Sequence, residues 1–237
     1  MTRAPFVLPR FFKDKTILQG TTTVSLGDFN FFHGGSKRQV REDINNLKKL
    51  LGCNTAPLVL VQQVHGCRIK AVRTKPKTGL SYFPGYDALI TEKRGLMLGI
   101  LTADCLPVFL YDQRRKVIGL AHAGWRGIAK DIVPATIKQM NKLYHTRPAD
   151  IIAGIGPHIS ARHYEIDAAT AKKLGLQAKG GIQADLAGLV EEQLARSGIP
   201  KRSIETSLIC TYSSKHCYSY RRQGKKAGRL LSFLLLK

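Results

Sequence analysis

Gly99-Ile-Leu-Thr-Ala-Asp-Cys-Leu-Pro-Val-Phe-Leu110 and Val117-Ile-Gly-Leu-Ala-His-Ala-Gly-Trp-Arg-Gly127 are two apolar segments that lie close together in the chain. Continuous apolar runs of this kind predict buried strands, and we interpret each segment as one strand. Each carries a side chain capable of catalysis or metal binding, Cys105 in the first and His122 in the second. Because neighbouring strands end side by side, the pattern predicts a functional site where these two residues lie.

A third candidate, His65, ends the apolar run Leu58-Val-Leu-Val-Gln-Gln-Val-His-Gly66. One thiolate and two imidazoles form a ligand set that suits zinc, with the fourth tetrahedral position left for water or substrate. A single cysteine or histidine of this kind is more often a core residue. The hypothesis of a metal site therefore depends on all three residues meeting.

Two other interpretations use the same kinds of side chain. Cys105 could act as a nucleophile with His122 as its base, as in cysteine hydrolases, without any metal. Cys210, His216 and Cys217 could hold a second metal, although their spacing matches no familiar zinc pattern.

Length and composition predict one globular unit. The chain has 237 residues, 43% of them hydrophobic, and no linker, repeat or low-complexity tract, so we expect a single domain over residues 1–237. Its five scattered cysteines fit free thiols in a reducing compartment. The segment 1–15 has no continuous apolar core of a signal peptide, and the chain has no apolar run of about 18 residues. We therefore expect a soluble, cytoplasmic protein with no membrane partner.

The charge is the unusual bulk property. Lys and Arg number 38 against 16 Asp and Glu, which gives a net charge of +22. Such a balance attracts polyanions or steers small anionic substrates. It predicts non-specific nucleic-acid binding as one alternative and a solvated basic surface as another.

Several positions are candidates for binding phosphate. Ser36 follows Gly34-Gly35, a pattern that forms either an anion-binding nest or a plain loop. Arg126 lies where the His122 strand turns into a predicted helix, a place where free backbone N–H groups favour anions. Arg222 and Arg229 add guanidinium groups suited to oxyanions, or belong to a solvated basic face.

Consecutive motifs along the chain resemble one known family. The chain is similar to the YfiH family, also called the laccase-domain or polyphenol-oxidase family, in order from about His33 to the C-terminus. The motifs are Val-Gln-Gln-Val-His-Gly66, Asp87-Ala-Leu-Ile-Thr91, Thr102-Ala-Asp-Cys-Leu-Pro107, Ala121-His-Ala-Gly-Trp-Arg-Gly127, Gly154-Ile-Gly-Pro-His-Ile-Ser160, Cys210-Thr-Tyr212, Tyr218-Ser-Tyr-Arg-Arg222 and Gly228-Arg229.

This resemblance implies an α+β fold, a four-layer α/β/β/α sandwich distantly like a cytotoxic-necrotizing-factor toxin domain. It also implies a catalytic zinc bound by His65, Cys105 and His122. The implied reactions are phosphorolysis of purine nucleosides (adenosine, inosine, guanosine and methylthioadenosine) and deamination of adenosine to inosine. Because zinc deaminases pair their metal with a carboxylate that moves protons, we consider Asp104 first and Asp87 second for that role.

The chain departs from the family pattern at a few positions. Phe32-His33 stands where relatives commonly carry an arginine, and the following Gly-Gly segment is shorter by one residue. His158 replaces a cysteine, and Ala227 replaces a threonine. The first departures weaken the case for phosphate contacts from the N-terminal loop, whereas the proposed zinc ligands are retained.

Three classes of function follow from this sequence. The first is a zinc enzyme that acts on small molecules, a purine nucleoside and phosphate. The second is a copper-dependent polyphenol oxidase, although one cysteine and two histidines without an axial methionine are a poor ligand set for that chemistry. The third is a polyanion-binding protein driven by charge. The sequence does not specify an oligomeric state.

Overall fold

The computed structural model describes residues 6–7, 14–32, 34–77, 79–177 and 179–237. The strands are β1 (Phe6–Val7), β2 (Ile17–Thr22), β3 (Leu58–Gln62), β4 (Ile69–Ala71), β5 (Leu80–Pro84), β6 (Ala88–Thr91), β7 (Leu96–Thr102), β8 (Leu106–Asp112), β9 (Val117–Ala123), β10 (Ile151–Ile155), β11 (Glu165–Ile166), β12 (Ile182–Gln183), β13 (Ile204–Thr206) and β14 (Leu230–Leu236). The helices are α1 (Lys37–Leu50), α2 (Trp125–Ile128), α3 (Ile132–Tyr144), α4 (Ala168–Lys173), α5 (Leu186–Arg196) and α6 (Tyr220–Gln223).

Two six-stranded sheets form the centre of the molecule. The first sheet has the order β1-β2-β14-β7-β3-β5 and the second has the order β13-β10-β8-β9-β6-β4. Both are mixed, because β3 runs parallel to β5 and β7, β4 to β6, and β10 to β13, whereas the other pairs are antiparallel. A small third sheet pairs β11 with β12.

The sheets pack face to face and carry helices on their outer sides. Side chains from both sheets meet between them, among them Val59, Leu98, Ile100, Phe109, Leu120 and Leu234. Helix α1 covers the outer face of the first sheet through Val40, Ile44 and Leu47. Helices α3 and α5 cover the outer face of the second. The expected four-layer α/β/β/α sandwich is therefore confirmed.

This layering explains the continuous apolar runs in the sequence. A sheet that lies between another sheet and a helix layer has no solvent face, so both sets of alternating side chains must be apolar. Every residue of β7, β8, β9 and β14 is buried.

The interpretation of Gly99–Leu110 as one strand was wrong. The chain leaves the first sheet at the end of β7, crosses through Ala103–Cys105 and enters the second sheet as β8. Asp104 makes this crossover with a left-handed φ of 92°. The apolar runs on either side carry no sign of the change because both strands are fully buried, and Asp104 is the charged residue between them.

The apolar spacing from Ile128 to about Tyr144 predicts a helix that Pro134 should kink or restart, and the structure divides this segment in two. Helix α2 begins at Trp125, and Asp131 interrupts the path with a φ of 55° before α3 begins. Pro134 lies in the first turn of α3, where a proline N–H would have no helical partner in any case. The predicted restart near this proline is therefore confirmed.

The sequence predicts strands over Glu205–Tyr212 and from Cys217 to the C-terminus, but much of this part of the chain is irregular. The strand expected over Glu205–Tyr212 is limited to β13, and the residues Cys217–Arg222 form turns and the start of α6 instead of closing a sheet. Among the described residues after α6, β14 is the strand that joins a large sheet, and it lies between β2 and β7 of the first sheet. Over the described ranges, no helix is both long and apolar enough to span a bilayer.

Gly99 provides a test of the packing between β7 and the side chains beside it. A Cβ added at Gly99 would lie 2.7 Å from Leu60 Cδ2 and 2.9 Å from both Leu231 Cδ1 and Leu58 Cδ1. We expect Gly99→Ala to lower the free energy of unfolding by about 1–3 kcal/mol, because overpacking forces these leucines to move. The measurement is the urea unfolding midpoint.

Gly79→Ala is the matched control. A Cβ at Gly79 meets nothing within 4 Å, so the unfolding free energy should change by less than about 0.5 kcal/mol. Equal effects of the two substitutions would contradict the packing described for β7.

Candidate metal centre

The structure brings the three predicted ligands together. His65 follows β3, Cys105 directly precedes β8, and His122 lies in β9 opposite Pro107. Their ligand atoms all lie within 4.8 Å of one another. The Cys105 Sγ is 4.0 Å from His65 Nε2, and the two imidazole rings meet edge to face with centroids 4.7 Å apart.

The arrangement fits a divalent metal. Zinc–sulfur and zinc–nitrogen bonds of about 2.3 and 2.0 Å in a tetrahedron place ligand atoms about 3.5 Å apart. The spacing seen here is slightly wider, so a small inward movement of the exposed His65 side chain would complete the geometry. One sulfur and two imidazole nitrogens leave a coordination position free, which is typical of catalytic sites.

Asp87 fixes the orientation of the cluster. Its carboxylate is fully buried, and Oδ1 lies 3.0 Å from His122 Nδ1. A carboxylate on Nδ1 favours the tautomer that leaves Nε2 free to bind a metal. Asp87 therefore positions His122, although the sequence placed it only second among candidates for proton transfer.

The same carboxylate holds the turn that carries His65. Asp87 accepts hydrogen bonds from the backbone N–H groups of His65 at 2.9 Å, Gly66 at 2.8 Å and Val64 at 3.3 Å. His65 adopts a left-handed φ of 57°, which costs free energy for a residue with a side chain. These hydrogen bonds stabilise that conformation.

Charge interactions shift the pKa values of Cys105 and His122 in opposite directions. Burial alone would raise the pKa of the Cys105 thiol, but its interactions with His122 and His65 outweigh burial and lower the pKa to about 6. Burial would lower the pKa of His122, but the Cys105 and Asp87 charges raise it to about 9. Each shift favours the charged form, a thiolate at Cys105 and an imidazolium at His122.

Gly124 leaves room for the cluster. A Cβ at this position would lie 3.0 Å from both Cys105 Sγ and His65 Cδ2. Gly124 also precedes α2 as its N-cap residue, with an extended conformation. A side chain here would therefore press on two of the three ligands.

Asp104 lies beside the ligands but is already engaged. Its Oδ1 accepts a hydrogen bond from the Thr211 hydroxyl at 2.6 Å, and its Oδ2 accepts one from the Arg221 backbone N–H at 2.6 Å. The carboxylate thus connects the crossover to two C-terminal loops. It also lines the cavity described next.

A cavity of about 550 Å³ opens beside the ligands, a size typical of small-molecule sites. It combines aromatic rings, three arginines and the ligand cluster. The lining residues are Phe32, Gln63, His65, Leu101, Thr102, Ala103, Asp104, Cys105, His122, Trp125, Arg126, Tyr164, Tyr220, Arg221 and Arg229.

Two of the predicted phosphate ligands do not line this cavity. Ser36 is the N-cap of α1, and its hydroxyl accepts a hydrogen bond from Gln39 N–H at 3.3 Å. The Arg222 guanidinium donates to the carbonyls of Thr211 at 3.0 Å, Ser214 at 3.2 Å and Cys217 at 2.5 Å, and also to that of Tyr212. Both groups stabilise local structure.

Other sequence candidates have different outcomes. Arg126 and Arg229 line the cavity as predicted. Cys210, His216 and Cys217 do not converge as a ligand group in the part of the chain that the structure describes. His33, at the start of the resemblance, lies outside the described residues.

Sequence reasoning missed Arg221 and the aromatic lining. Arg221 stands next to Arg222 in the motif Tyr218–Arg222, so the motif was found but the wrong arginine was chosen. The short helix α6 decides which of the two faces the cavity. Trp125 and Tyr220 stand inside quoted motifs and Tyr164 stands outside them, but no spacing reveals the direction of these side chains.

The chain is similar to a known family and to named proteins. The profile of the family described as multi-copper polyphenol oxidoreductase laccase matches residues 16–237. The chain is 34% identical over 196 residues to the purine nucleoside phosphorylase YlmD of Bacillus subtilis, covering 76% of this chain and 70% of the relative. It is 36% identical over 196 residues to a purine nucleoside phosphorylase of Streptomyces coelicolor, covering 79% and 78%.

Solved structures are similar over almost the whole chain. The crystal structure of YlmD from Geobacillus stearothermophilus has a TM-score of 0.91 and 26% identity, with 100% of this chain and 98% of that chain covered. The crystal structure of the hypothetical protein YfiH of Bacillus licheniformis has a TM-score of 0.89 and 28% identity, with 99% and 100% covered.

Asp87→Asn tests the positioning role. Loss of the carboxylate removes the charge that orients His122, so we expect zinc affinity to fall about 10–100-fold. The measurement is competition with a chromophoric chelator. Glu192→Gln, an exposed position on α5, is the control and should leave zinc affinity unchanged; an unchanged affinity in Asp87→Asn would contradict the assignment.

The wild-type protein and Asp87→Asn should also differ in stability, and this difference should depend on pH. Burial would raise the pKa of Asp87, but His122 and the backbone N–H groups hold it below its ordinary value of 3.8. A carboxyl with a depressed folded-state pKa stabilises the protein above its unfolded-state pKa and loses that contribution as the pH falls. We expect the stability gap between wild type and Asp87→Asn, from urea unfolding, to shrink below about pH 4; a gap that widens in acid would contradict this.

Proposed function

The chain belongs to the multi-copper polyphenol oxidoreductase laccase family, and from that membership we propose that it is a zinc-dependent purine nucleoside phosphorylase that also deaminates adenosine. The observation that carries the proposal is the convergence of His65, Cys105 and His122 beside a cavity with arginines. The reaction class comes from relatives called purine nucleoside phosphorylases. The proposed substrates are adenosine, inosine, guanosine or methylthioadenosine together with phosphate, and the products are the base and ribose 1-phosphate or its 5-methylthio form.

The cavity wall suits a purine nucleoside. A purine is flat and aromatic, and offset or edge-to-face contacts with aromatic side chains stabilise it without requiring charge. The four aromatic side chains in the lining are Phe32, Trp125, Tyr164 and Tyr220. Tyr220 is half exposed, with 51% of its surface accessible, which places it at the entrance and favours a role in covering the base.

Three guanidinium groups supply the charge that phosphate requires. Arg126 lies over the Trp125 ring at 4.3 Å, and Arg221 lies over the Tyr164 ring at 5.0 Å. Arg229 Nη1 donates to the carbonyls of Ala227 and Gly228 at 2.6 and 3.0 Å. These contacts orient the three arginines. Because a guanidinium carries five N–H donors, each arginine keeps donors for an oxyanion.

The ligand residues would hold the metal, and the neighbouring carboxylates have separate roles. When bound at His65, Cys105 and His122, zinc supplies Lewis acidity and lowers the pKa of a bound water. Asp87 is buried behind His122 and positions it. Asp104 lines the cavity, and each of its oxygens accepts one hydrogen bond and keeps a second lone pair, so this carboxylate can accept a proton from a substrate or water there.

For phosphorolysis, the chain's own residues hold the two reactants together. Phosphate on the arginines would attack C1′ of the ribose as the bond to the base breaks, and positive charge develops on the sugar in that transition state. Anions close to C1′ stabilise this charge, and the phosphate itself is one of them. Holding base and phosphate in one cavity gives the reaction its proximity advantage.

Cysteine chemistry without a metal is a second candidate, favoured by one observation. Asp87, His122 and Cys105 have the order of acid, base and nucleophile found in cysteine hydrolases, and the lowered Cys105 pKa gives a thiolate near neutral pH. Exhaustive dialysis against a chelator separates the two candidates. Phosphate-dependent release of adenine from adenosine that disappears on dialysis and returns with zinc supports the phosphorylase proposal. Turnover of adenosine that persists without metal and is blocked by iodoacetamide supports cysteine catalysis.

Cys105→Ala tests the proposal directly. We expect the variant to lose bound zinc and phosphate-dependent release of adenine from adenosine, because one of three ligands is gone, while still unfolding cooperatively. Metal analysis and chromatography of the products are the measurements. Full turnover in the variant would contradict the proposal, and copper with oxygen uptake on phenols would support an oxidase instead. Salt-sensitive retention on nucleic acid without nucleoside turnover would support a polyanion-binding protein.

Arg126→Gln tests the phosphate subsite. A charge-assisted hydrogen bond contributes about 1.5–3 kcal/mol, so its loss should raise the KM for phosphate about tenfold or more. Steady-state kinetics at saturating nucleoside provides the measurement. Arg202→Gln, in the exposed turn before β13, removes the same charge and should have no effect; a similar rise in that variant would show that only the overall field matters.

A further inference from the structure

A second group of reactive side chains lies outside the candidate metal centre. Cys210 forms an isolated bridge with His158, and its side chain points toward the turn Ala161–His163. Its Sγ accepts hydrogen bonds from the Ser160 N–H at 3.3 Å and the Ser160 hydroxyl at 3.2 Å. The alternative role of Cys210 as a ligand of a second metal with His216 and Cys217 is not supported among the described residues.

A histidine completes the group. His163 Nδ1 lies 3.6 Å from Cys210 Sγ and 3.3 Å from Ser160 Oγ. The His163 ring stacks on Tyr212, with centroids 4.6 Å apart and planes 21° from parallel. A base within hydrogen-bond reach of a thiol, itself held by a third group, is the general arrangement of an activated nucleophile.

The surroundings favour the charged form of the sulfur. Burial would raise the pKa of the Cys210 thiol, but hydrogen bonds from Ser160 and Ser213 outweigh it and lower the pKa to about 6. Cys210 is also half-buried rather than enclosed. Partly exposed thiolates of this kind are the ones that react with oxidants and alkylating reagents.

We propose that Cys210, His163 and Ser160 form a second reactive centre, in which the Cys210 sulfur is the site of modification by hydroperoxides. The thiolate attacks the distal peroxide oxygen, so that an S–O bond forms and the O–O bond breaks. Sulfur loses two electrons and the peroxide gains them. The departing hydroxide or alkoxide takes a proton from His163 or from solvent, and the product is a sulfenic acid at Cys210.

Other cysteines of the chain are internal controls. Burial raises the pKa of both Cys53 and Cys217, so these thiols should react slowly near pH 7. Tryptic cleavage separates the relevant residues, because Cys210 falls in 203–215, Cys217 in 216–221 and Cys105 in 95–114. Cys53 shares the peptide 50–68 with Cys67, so fragmentation of that peptide in the mass spectrometer is needed to assign its label.

The experiment is brief exposure to hydrogen peroxide, trapping of sulfenic acid with dimedone and mass spectrometry of the peptides, with iodoacetamide labelling in parallel. We expect Cys210 to react at least about tenfold faster than Cys217 and Cys53 in both assays, because a larger fraction is thiolate. Equal rates would overturn the proposal. Because the labelling assay needs no enzyme turnover, its result tests this proposal separately from the proposed function.

Variants of the neighbours test the cluster itself. Ser160→Ala and His163→Gln should each slow Cys210 labelling severalfold, because each removes a group that stabilises the thiolate. His145→Gln, at an exposed position after α3, is the matched control and should leave the rate unchanged. Unchanged rates in both cluster variants would overturn the proposal, and if either variant fails to fold, the comparison of peptides in the wild-type protein decides.

Discussion

The geometry of the candidate site depends on one buried carboxylate. Asp87 has no exposed surface, and burial of an unpaired carboxylate would cost several kcal/mol. His122 and the three N–H groups of Val64, His65 and Gly66 compensate for that cost. Since those donors belong to β9 and to the turn after β3, the carboxylate joins two different sheets at the point where their ligands meet.

The stacked sheets explain why the fold was only partly predictable. The positions of the buried strands follow from apolar runs, since each central strand is covered on both faces. Helices α1 and α5 follow from helical periodicity, with Asp185 as the predicted N-cap of α5, whereas the N-cap role of Ser36 was not predicted. The assignment of β7 and β8 to different sheets does not follow, because a fully buried strand has the same composition in either. Only Asp104, a polar residue inside an apolar run, marks the crossover.

The site was predicted better than its surroundings. His65, Cys105 and His122 are chemically distinctive and follow apolar strands, so their convergence could be inferred from sequence. Arginines are common in a chain with 38 basic residues, and their type does not reveal their direction. Arg221 and Arg222 show this. Arg221 lines the cavity, whereas the Arg222 guanidinium donates hydrogen bonds to backbone carbonyls of a turn.

The crossover Ala103–Cys105 also limits how the chain length can vary. Three residues connect the end of β7 to the start of β8, and both strands are locked by seven-residue pairings with their neighbours. A connection this short cannot absorb a change in length. An inserted or deleted residue would shift a whole strand by one position, which turns its side chains to the opposite face, or it would pull Cys105 away from His65 and His122. Tolerance to insertion belongs instead to largely exposed residues such as those at 73–77, between the edge strands β4 and β5. A designer who lengthens or circularly permutes this scaffold should open it there.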